Sequence, residues 1–131
     1  MTWHDLVRRI RAAGRYATDE EAEDVLRAVL AVLGGHVTGE ERCELAALLP
    51  PEAGAVLAGS IPLTQPLTAP AFVEAVAAAL DTAPPSARWA TGTVLTELAG
   101  TAGEELTGRI LAQLPRGYAL LFGRVELAPA A

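Results

Sequence analysis

An internal repeat with a spacing of 65 residues constrains this chain more than any other feature of its sequence. The segment 45–50 (Leu-Ala-Ala-Leu-Leu-Pro) matches the segment 110–115 (Ile-Leu-Ala-Gln-Leu-Pro), and residues 29–30 fall on residues 94–95 at the same spacing. The match is by residue class more than by identity, and it extends over most of the chain. Self-similarity of this kind indicates two diverged copies of one structural unit that pack together around a shared core.

Each copy is predicted to contain three helices and a short fourth, because apolar residues recur at helical spacing. In the first helix, Trp3, Leu6 and Ile10 lie at i, i+3 and i+7 and form one stripe. No segment sustains the alternation of apolar and polar residues that a half-buried strand shows. Threonines are expected to cap the helix starts and glycines or prolines to end the helices. The expected caps are Thr2, Thr18, Thr38 and Thr68, and the expected stops are Gly14, Gly34, Gly35, Pro50 and Pro51.

The core is expected to take its side chains from equivalent positions of both copies. The third helix of the first copy should bury Leu45, Leu48 and Leu49. Tyr118 and Phe122 should face the core from the last helix of the second copy. In that copy, the two prolines at 84–85 are expected to separate the first helix from the second, because proline disrupts the preceding helical turn.

The predicted fold is therefore an all-α helical bundle of about eight helices, built from two pseudo-symmetric tandem repeats. Its 131 residues fit one domain. We expect the two repeats to pack face to face about a pseudo-two-fold axis, because one repeat alone has little depth. The predicted parts are repeat one at 1–59, a linker at 59–67 rich in proline and glycine, repeat two at 68–123, and a tail at 124–131.

Three segments resemble a known bacterial family, the domain of unknown function 2267. They are 25–34 (Val-Leu-Arg-Ala-Val-Leu-Ala-Val-Leu-Gly), 45–50 and 112–118 (Ala-Gln-Leu-Pro-Arg-Gly-Tyr). The resemblance rests on two tandem units, each with an Ala/Val/Leu-rich second helix, a glycine turn and a third helix ending in Leu-Pro. It covers residues 3–122 and departs at 69–71, where Ala-Pro-Ala replaces the usual acidic start. It implies the two-unit fold and no known activity, and it supplies no catalytic residues.

Composition disfavours several classes of function, although a local basic patch could still bind phosphate. The net charge is −6, so the field of the whole chain repels phosphate, and neither nucleic acid nor an anionic membrane is an expected partner. No apolar run approaches the length of a membrane span. Cys43 is the only cysteine, which suits a reducing cytosol, and the exclusive use of arginine as the cation is typical of a GC-rich bacterial genome. A cytoplasmic bacterial protein is the resulting prediction.

Catalytic and cofactor sites have little support in the sequence. His36 and Cys43 flank a helix start, but a cysteine–histidine nucleophile needs both side chains in hydrogen-bond reach and a third orienting group. Five carboxylates at 19–24 sit in the first turns of a helix, where negative charge complements the helix dipole, and they lack the glycine-centred spacing of a calcium loop. We therefore predict no enzyme activity, no cofactor and no metal.

Arginines are concentrated in the predicted first helix. Arg8, Arg11 and Arg15 lie at i, i+3 and i+7 and would share a face opposite the apolar stripe. One interpretation is that this face binds an anion or an acidic partner. The other is that it is a solvated surface, on which arginines near the helix C-terminus are favoured by the helix dipole. Ion pairs between this face and the acidic cluster at 19–24 are expected, within one molecule or between two.

Trp89 is the aromatic residue most indicative of a contact surface. Its equivalent in the first repeat is Asp24, an expected surface position, so Trp89 is predicted to lie at the surface as well. Exposed tryptophan is typical of protein interfaces. The preferred hypothesis is a non-enzymatic protein-interaction or scaffold module whose partner is another protein or a second copy in a homodimer. The alternative is a small-molecule or anion-binding regulatory domain, with a ligand between the repeats and Arg8, Arg11 or Arg15 at its mouth.

Overall fold

The computed structural model describes residues 1–124, which form eight α-helices joined by short loops and one longer linker. No strand occurs among these residues, so the all-α prediction is confirmed. None of the helices in this part of the chain has both the length and the apolar character needed to cross a bilayer. The helices are α1 (Trp3–Gly14), α2 (Asp19–Gly34), α3 (Gly39–Leu48), α4 (Pro51–Gly59), α5 (Ala69–Leu80), α6 (Pro84–Ala102), α7 (Glu104–Ala112) and α8 (Tyr118–Leu121).

The helix starts recur with the spacing of the sequence repeat. α5 begins 66 residues after α1, and α6 and α7 each begin 65 residues after α2 and α3. α1 and α5 also have the same length of 12 residues. The fourth helices differ, because α4 has nine residues and α8 only four. The pseudo-two-fold relation between the repeats stays a prediction, as do the domain boundaries.

The helices of the two repeats pack across one another. α2 packs against α6, α3 against α7, α1 against α6, and α5 against α2. The buried apolar side chains of both repeats belong to one hydrophobic cluster, in which Leu30 and Leu95 are fully buried at equivalent positions. Each such side chain contributes about 1.5–3 kcal/mol relative to leaving it in water. Because one core is shared, the packing of its side chains holds α1 of the first repeat against α6 of the second.

Threonine caps begin three of the four helices for which they were predicted. The side chains of Thr2, Thr18 and Thr68 each accept a hydrogen bond from a backbone N–H three residues on, at 3.1–3.3 Å. Thr38 also precedes its helix, but its side chain makes no capping hydrogen bond. Instead its backbone N–H and carbonyl bond to the side-chain amide of Gln113, at 3.1 and 3.3 Å. A contact with the other repeat thus replaces the local cap.

One further expectation was wrong, and a second is made more precise by the structure. Leu48 is 48 % exposed rather than buried, because α3 ends there and Leu49, in extended conformation before Pro50, turns inward instead. The prolines at 84–85 lie inside α6 at its first positions, where a missing N–H has no cost. They therefore begin the helix as well as separating it from α5. Any structure of the predicted tail beyond residue 124 lies outside the described residues.

The linker is fastened to both repeats through Leu67. Its backbone N–H donates to Nε2 of His36 (3.1 Å), and its carbonyl accepts from the Tyr118 hydroxyl (2.7 Å). Because Nε2 accepts, the proton of the neutral ring is on Nδ1, which faces the Val32 carbonyl at 2.8 Å. His36 and Tyr118 also make edge contacts with Phe72. This cluster joins the end of α2 to α5 and α8.

Candidate functional site

Trp89 lies on α6 and is held in place by the first repeat. Its side chain is 55 % exposed, which agrees with the position that the repeat alignment predicts. The indole N–H nevertheless donates a hydrogen bond of 2.9 Å to the backbone carbonyl of Gly14, at the end of α1. The ring is therefore accessible on its surface and fixed at its polar edge. This partner could not be predicted from the sequence, because it lies 75 residues away along the chain.

The end of α1 is shaped to receive the indole. Carbonyls in the last turn of a helix lack an intrahelical partner, so that of Gly14 is free to accept from Trp89. Arg15 adopts a left-handed conformation (φ 57°), and this turn brings the Tyr16 ring back over Gly14. A Cβ atom at Gly14 would overlap the Tyr16 ring. Glycine at this position therefore lets Tyr16 and Trp89 converge on the same carbonyl region.

A cleft of about 510 Å³ lies between the repeats beside Trp89; we call it the junction cleft. Its walls come from the loop after α1, the start of α2, the end of α5 and the start of α6. The position matches the inter-repeat site of the ligand-binding hypothesis. The lining residues are Tyr16, Glu21, Asp24, Val25, Leu80, Thr82, Pro85, Ser86, Trp89 and Ala90.

The charge of the junction cleft is negative. Glu21 and Asp24 line it, and neither forms an ion pair with any residue in the range 1–124. Their neighbours in the same acidic segment do: Asp19 pairs with Arg11 at 3.0 Å, and Glu23 pairs with Arg27 at 2.9 Å. No arginine lines this cleft among the described residues. The cleft therefore keeps two uncompensated carboxylates beside two aromatic rings.

Tyr16 contributes a polar atom with unused capacity. Its hydroxyl is buried and makes no hydrogen bond of normal geometry with any of residues 1–124. Burial and the charge of Glu21 raise the pKa of Tyr16, while a weak hydrogen-bond contact with the Thr93 hydroxyl lowers it. The Thr93 hydroxyl itself donates to the Trp89 carbonyl at 2.8 Å. The Tyr16 hydroxyl thus stays neutral at physiological pH and available as a donor.

Replacing Tyr16 with phenylalanine should leave the free energy of unfolding unchanged or raise it by up to about 1 kcal/mol, because a buried hydroxyl without a good hydrogen bond carries a desolvation cost. Tyr118→Phe is the matched control, since the Tyr118 hydroxyl has a good acceptor in Leu67. That control should lose about 1 kcal/mol. Urea denaturation measures both. Equal losses in the two variants would contradict the assignment of the Tyr16 hydroxyl as lacking a good hydrogen bond.

Comparison with known proteins places the chain in a family. A family model described as "Uncharacterized conserved protein (DUF2267)" matches residues 3–121, from the first residue of α1 to the last of α8. The chain belongs to this family. The resemblance predicted from the sequence is thereby confirmed, and the description of the DUF2267 family names no activity. No curated protein matches the chain.

The three arginines of the predicted contact face are not equivalent in this DUF2267 protein. Arg8 is exposed and makes no ion pair within residues 1–124. Arg11 is engaged, because it bonds Asp19 and the Ala17 carbonyl (2.8 Å) and so fastens the loop between α1 and α2. Arg15 follows the end of α1 in a left-handed conformation and leaves the helical register. The single face expected from i, i+3 and i+7 spacing is thus interrupted at Arg15.

His36 and Cys43 do not form a pair. Both ring nitrogens of His36 face backbone groups, and the ring is 5 % exposed. Cys43 is exposed on α3. The histidine binds the linker at Leu67 and packs against Phe72, which is why it is buried.

An ion pair across the repeats escaped the sequence analysis. Arg109 of α7 binds Glu44 of α3 through its two terminal guanidinium nitrogens, Nη1 and Nη2, at 3.2 and 2.5 Å. The two residues are equivalent positions of the repeat, 65 apart. Opposite charges 65 residues apart, which is the spacing of the sequence repeat, are the signal that could have drawn attention to this pair. The hydrogen bond from Arg109 is the main reason that the pKa of Glu44 lies below its usual value.

This pair should make stability depend on acid pH. A carboxylate with a lowered pKa in the folded state stabilises the protein above its unfolded pKa, and the contribution is lost as pH falls through the folded pKa. We expect Glu44→Gln to lower the thermal midpoint at about pH 6, well above the ordinary glutamate pKa, and this effect to fade as the pH falls below that ordinary value through the lowered pKa of the folded state. Glu74→Gln, at an exposed carboxylate without an ion pair in the described residues, is the control. Equal shifts in the two variants across this range would refute the coupling.

Proposed function

We propose that this DUF2267 protein is a non-enzymatic protein-interaction module and that its contact surface centres on Trp89. The single observation that carries the proposal is an exposed indole fixed by a hydrogen bond to the other repeat. An aromatic ring that is already immobilised loses little conformational freedom on binding, so more of its contact energy becomes affinity. Tryptophan is also the residue type most enriched among the energetically dominant positions of interfaces.

Apolar surface beside Trp89 supports the same proposal. A groove of about 610 Å³ lies between α5, α6 and α8, on the side of α6 that carries Pro85 and Arg88. Leu120 on its edge is 60 % exposed. Pro85 and Arg88 also line a cleft of about 430 Å³ that contains Trp89. A partner that covers the indole therefore has apolar surface available next to it.

A small-molecule binder is the second candidate, and the junction cleft favours it. Clefts between helices of a bundle are common ligand sites, and this one lies between the repeats. Arg8, Arg11 and Arg15 are not among its lining residues, so an anion held there would face Glu21 and Asp24 instead. The anion-binding version of this candidate therefore has less support than a neutral or cationic ligand.

Trp89→Ala tests the interaction proposal. In cells that naturally produce the protein, a tagged chain should co-purify a defined partner, and Trp89→Ala should weaken its binding by about tenfold or more. Arg8→Ala is the matched surface control and should bind as the unchanged chain does. Light scattering over a concentration series tells whether the partner is a second copy. A partner retained equally by Trp89→Ala, with the fold intact by circular dichroism, would refute the proposal.

A further inference from the structure

We propose that the junction cleft binds an organic cation, an ammonium or guanidinium group, between the Trp89 and Tyr16 rings and the carboxylates of Glu21 and Asp24. The inference rests on the proposed function in one respect: the cation is either a free molecule or a basic side chain of the protein partner. Both sources present the same chemistry to the cleft.

Electrostatics select the sign of the ligand. Two carboxylates of the acidic segment, Asp19 and Glu23, pair with arginines of the chain. Two others, Glu21 and Asp24, line the junction cleft without such a partner. Two negative charges beside low-dielectric walls attract a cation and repel an anion. The ligand therefore supplies the positive charge that no described lining residue provides.

The apolar walls select an organic cation rather than a metal ion. Trp89 and Tyr16 present rings that attract a cation placed over their faces, and Val25, Leu80 and Ala90 offer contact to the carbon atoms attached to it. A calcium or magnesium ion needs six or more oxygen ligands. Within residues 1–124, no group of three or more side chains is suited to hold a metal.

The chain itself shows the recognition mode at its other tryptophan. The Arg27 guanidinium lies 4.8 Å from the ring centre of Trp3 while it also binds Glu23. Trp3 Nε1 in turn lies 3.4 Å from the same carboxylate. Aromatic ring and carboxylate thus share one guanidinium at the surface between α1 and α2. The junction cleft contains the ring and the carboxylates of this arrangement without the cation.

The Tyr16 hydroxyl is a further polar group at the cleft. It is buried and has only a weak contact with Thr93, so a bound molecule with a well-placed acceptor improves its hydrogen bonding. An ammonium group cannot accept a hydrogen bond, so the acceptor is an oxygen on the ligand skeleton or a water that accompanies the cation. The Trp89 indole N–H is not available for this purpose, because it already bonds Gly14.

The indole N–H signals of the two tryptophans in nitrogen-labelled protein provide the test. Trp3→Phe assigns them, since it leaves only that of Trp89. Methylguanidinium and n-butylammonium are titrated separately, with 1-butanol as the neutral control and sodium chloride matching ionic strength. We expect the Trp89 signal to shift saturably with both cations and not with 1-butanol. Glu21→Gln and Asp24→Asn should each weaken the response about threefold or more, and together about tenfold or more.

Glu20→Gln is the matched control for charge. Glu20 is an exposed neighbour on the same turn, and it does not line the cleft. Glu20→Gln lowers the net negative charge by the same amount as Glu21→Gln. Because it changes no group that lines the cleft, the response to the cations should be unchanged. No saturable shift with either cation in the folded protein would overturn the proposal. Equal weakening in Glu20→Gln and Glu21→Gln would also overturn it, since attraction would then come from the overall charge.

A short peptide with a single arginine separates the two sources of the cation. If the peptide binds about tenfold or more tightly than methylguanidinium, the cation belongs to a protein partner. If the two bind equally, a free molecule is the ligand. If the protein binds the cations but its partner binds Trp89→Ala as tightly as the unchanged chain, the cation inference stands and the interaction proposal is refuted. If partner binding requires Trp89 but no cation binds, the interaction proposal stands and the cation inference is refuted.

Discussion

Replacing His36 with alanine should lower the free energy of unfolding by about 2–4 kcal/mol. The change removes the acceptor for the Leu67 N–H and the hydrogen bond to the Val32 carbonyl. It also opens space beside Phe72 and Tyr118, whose rings contact the imidazole. The Leu67 N–H is partly shielded from water, so losing its acceptor costs part of its desolvation free energy, while the Val32 carbonyl keeps the Gly35 N–H as a partner.

His4→Ala is the matched control for this experiment. His4 is the other histidine of the chain and is exposed on α1, so its removal should change stability by less than about 0.5 kcal/mol. Urea denaturation of both variants gives the comparison. If His36→Ala were as stable as His4→Ala, the linker would not be fastened through Leu67.

Gly34→Ala should destabilise the protein by about 1–3 kcal/mol, although alanine is normally the better helix former. A Cβ atom at Gly34 would lie 2.6 Å from the Leu57 carbonyl and 2.7 Å from the Ser60 hydroxyl. Leu57 is part of α4, so its carbonyl can move only if that helix moves. Ser60 is fixed as well, because its hydroxyl donates to the Ala31 carbonyl at 2.8 Å. The contact between α2 and α4 therefore depends on the missing side chain.

Gly100→Ala is the same substitution with the opposite expected sign. Gly100 lies inside α6, and a Cβ atom there meets nothing within 4 Å. Alanine should then raise the free energy of unfolding by up to about 1 kcal/mol, through helix propensity alone. Thermal unfolding of both variants decides the matter. Stabilisation by Gly34→Ala would contradict the close approach of α2 and α4.

The fold could be predicted from the sequence because apolar periodicity and turn residues agree along the chain. The starts of α1, α2, α3 and α5 follow directly from the threonines that precede them. The end of α6 could not be predicted from its repeat equivalent. α2 stops near Gly34 and Gly35, whereas α6 continues through Gly100 to Ala102. A single glycine weakens a helix without ending it, and the contacts around it decide the outcome.

The candidate site could be predicted only in part, because its contacts join distant segments. Repeat alignment was sufficient to place Trp89 at the surface, since burial follows the shared pattern. It could not show that the indole bonds Gly14, because a backbone acceptor leaves no mark in the sequence. The ion pair expected between the arginines of α1 and the acidic segment forms at Arg11 and Asp19, but the spacing could not show which arginine would take part. Charge spacing predicts which residues share a helix face, and only the packing of loops determines which of them stay free.

Site-specific photo-crosslinking tests the central claim, that the Trp89 surface rather than the arginines of α1 meets the partner. A photoreactive amino acid replaces Arg88, beside the indole, or Arg8, on the exposed side of α1, in cells that naturally produce the protein. We predict one discrete adduct from position 88, lost when Trp89→Ala is added, and none from position 8. An adduct from position 8 alone, or one from position 88 that persists in Trp89→Ala, would contradict the account.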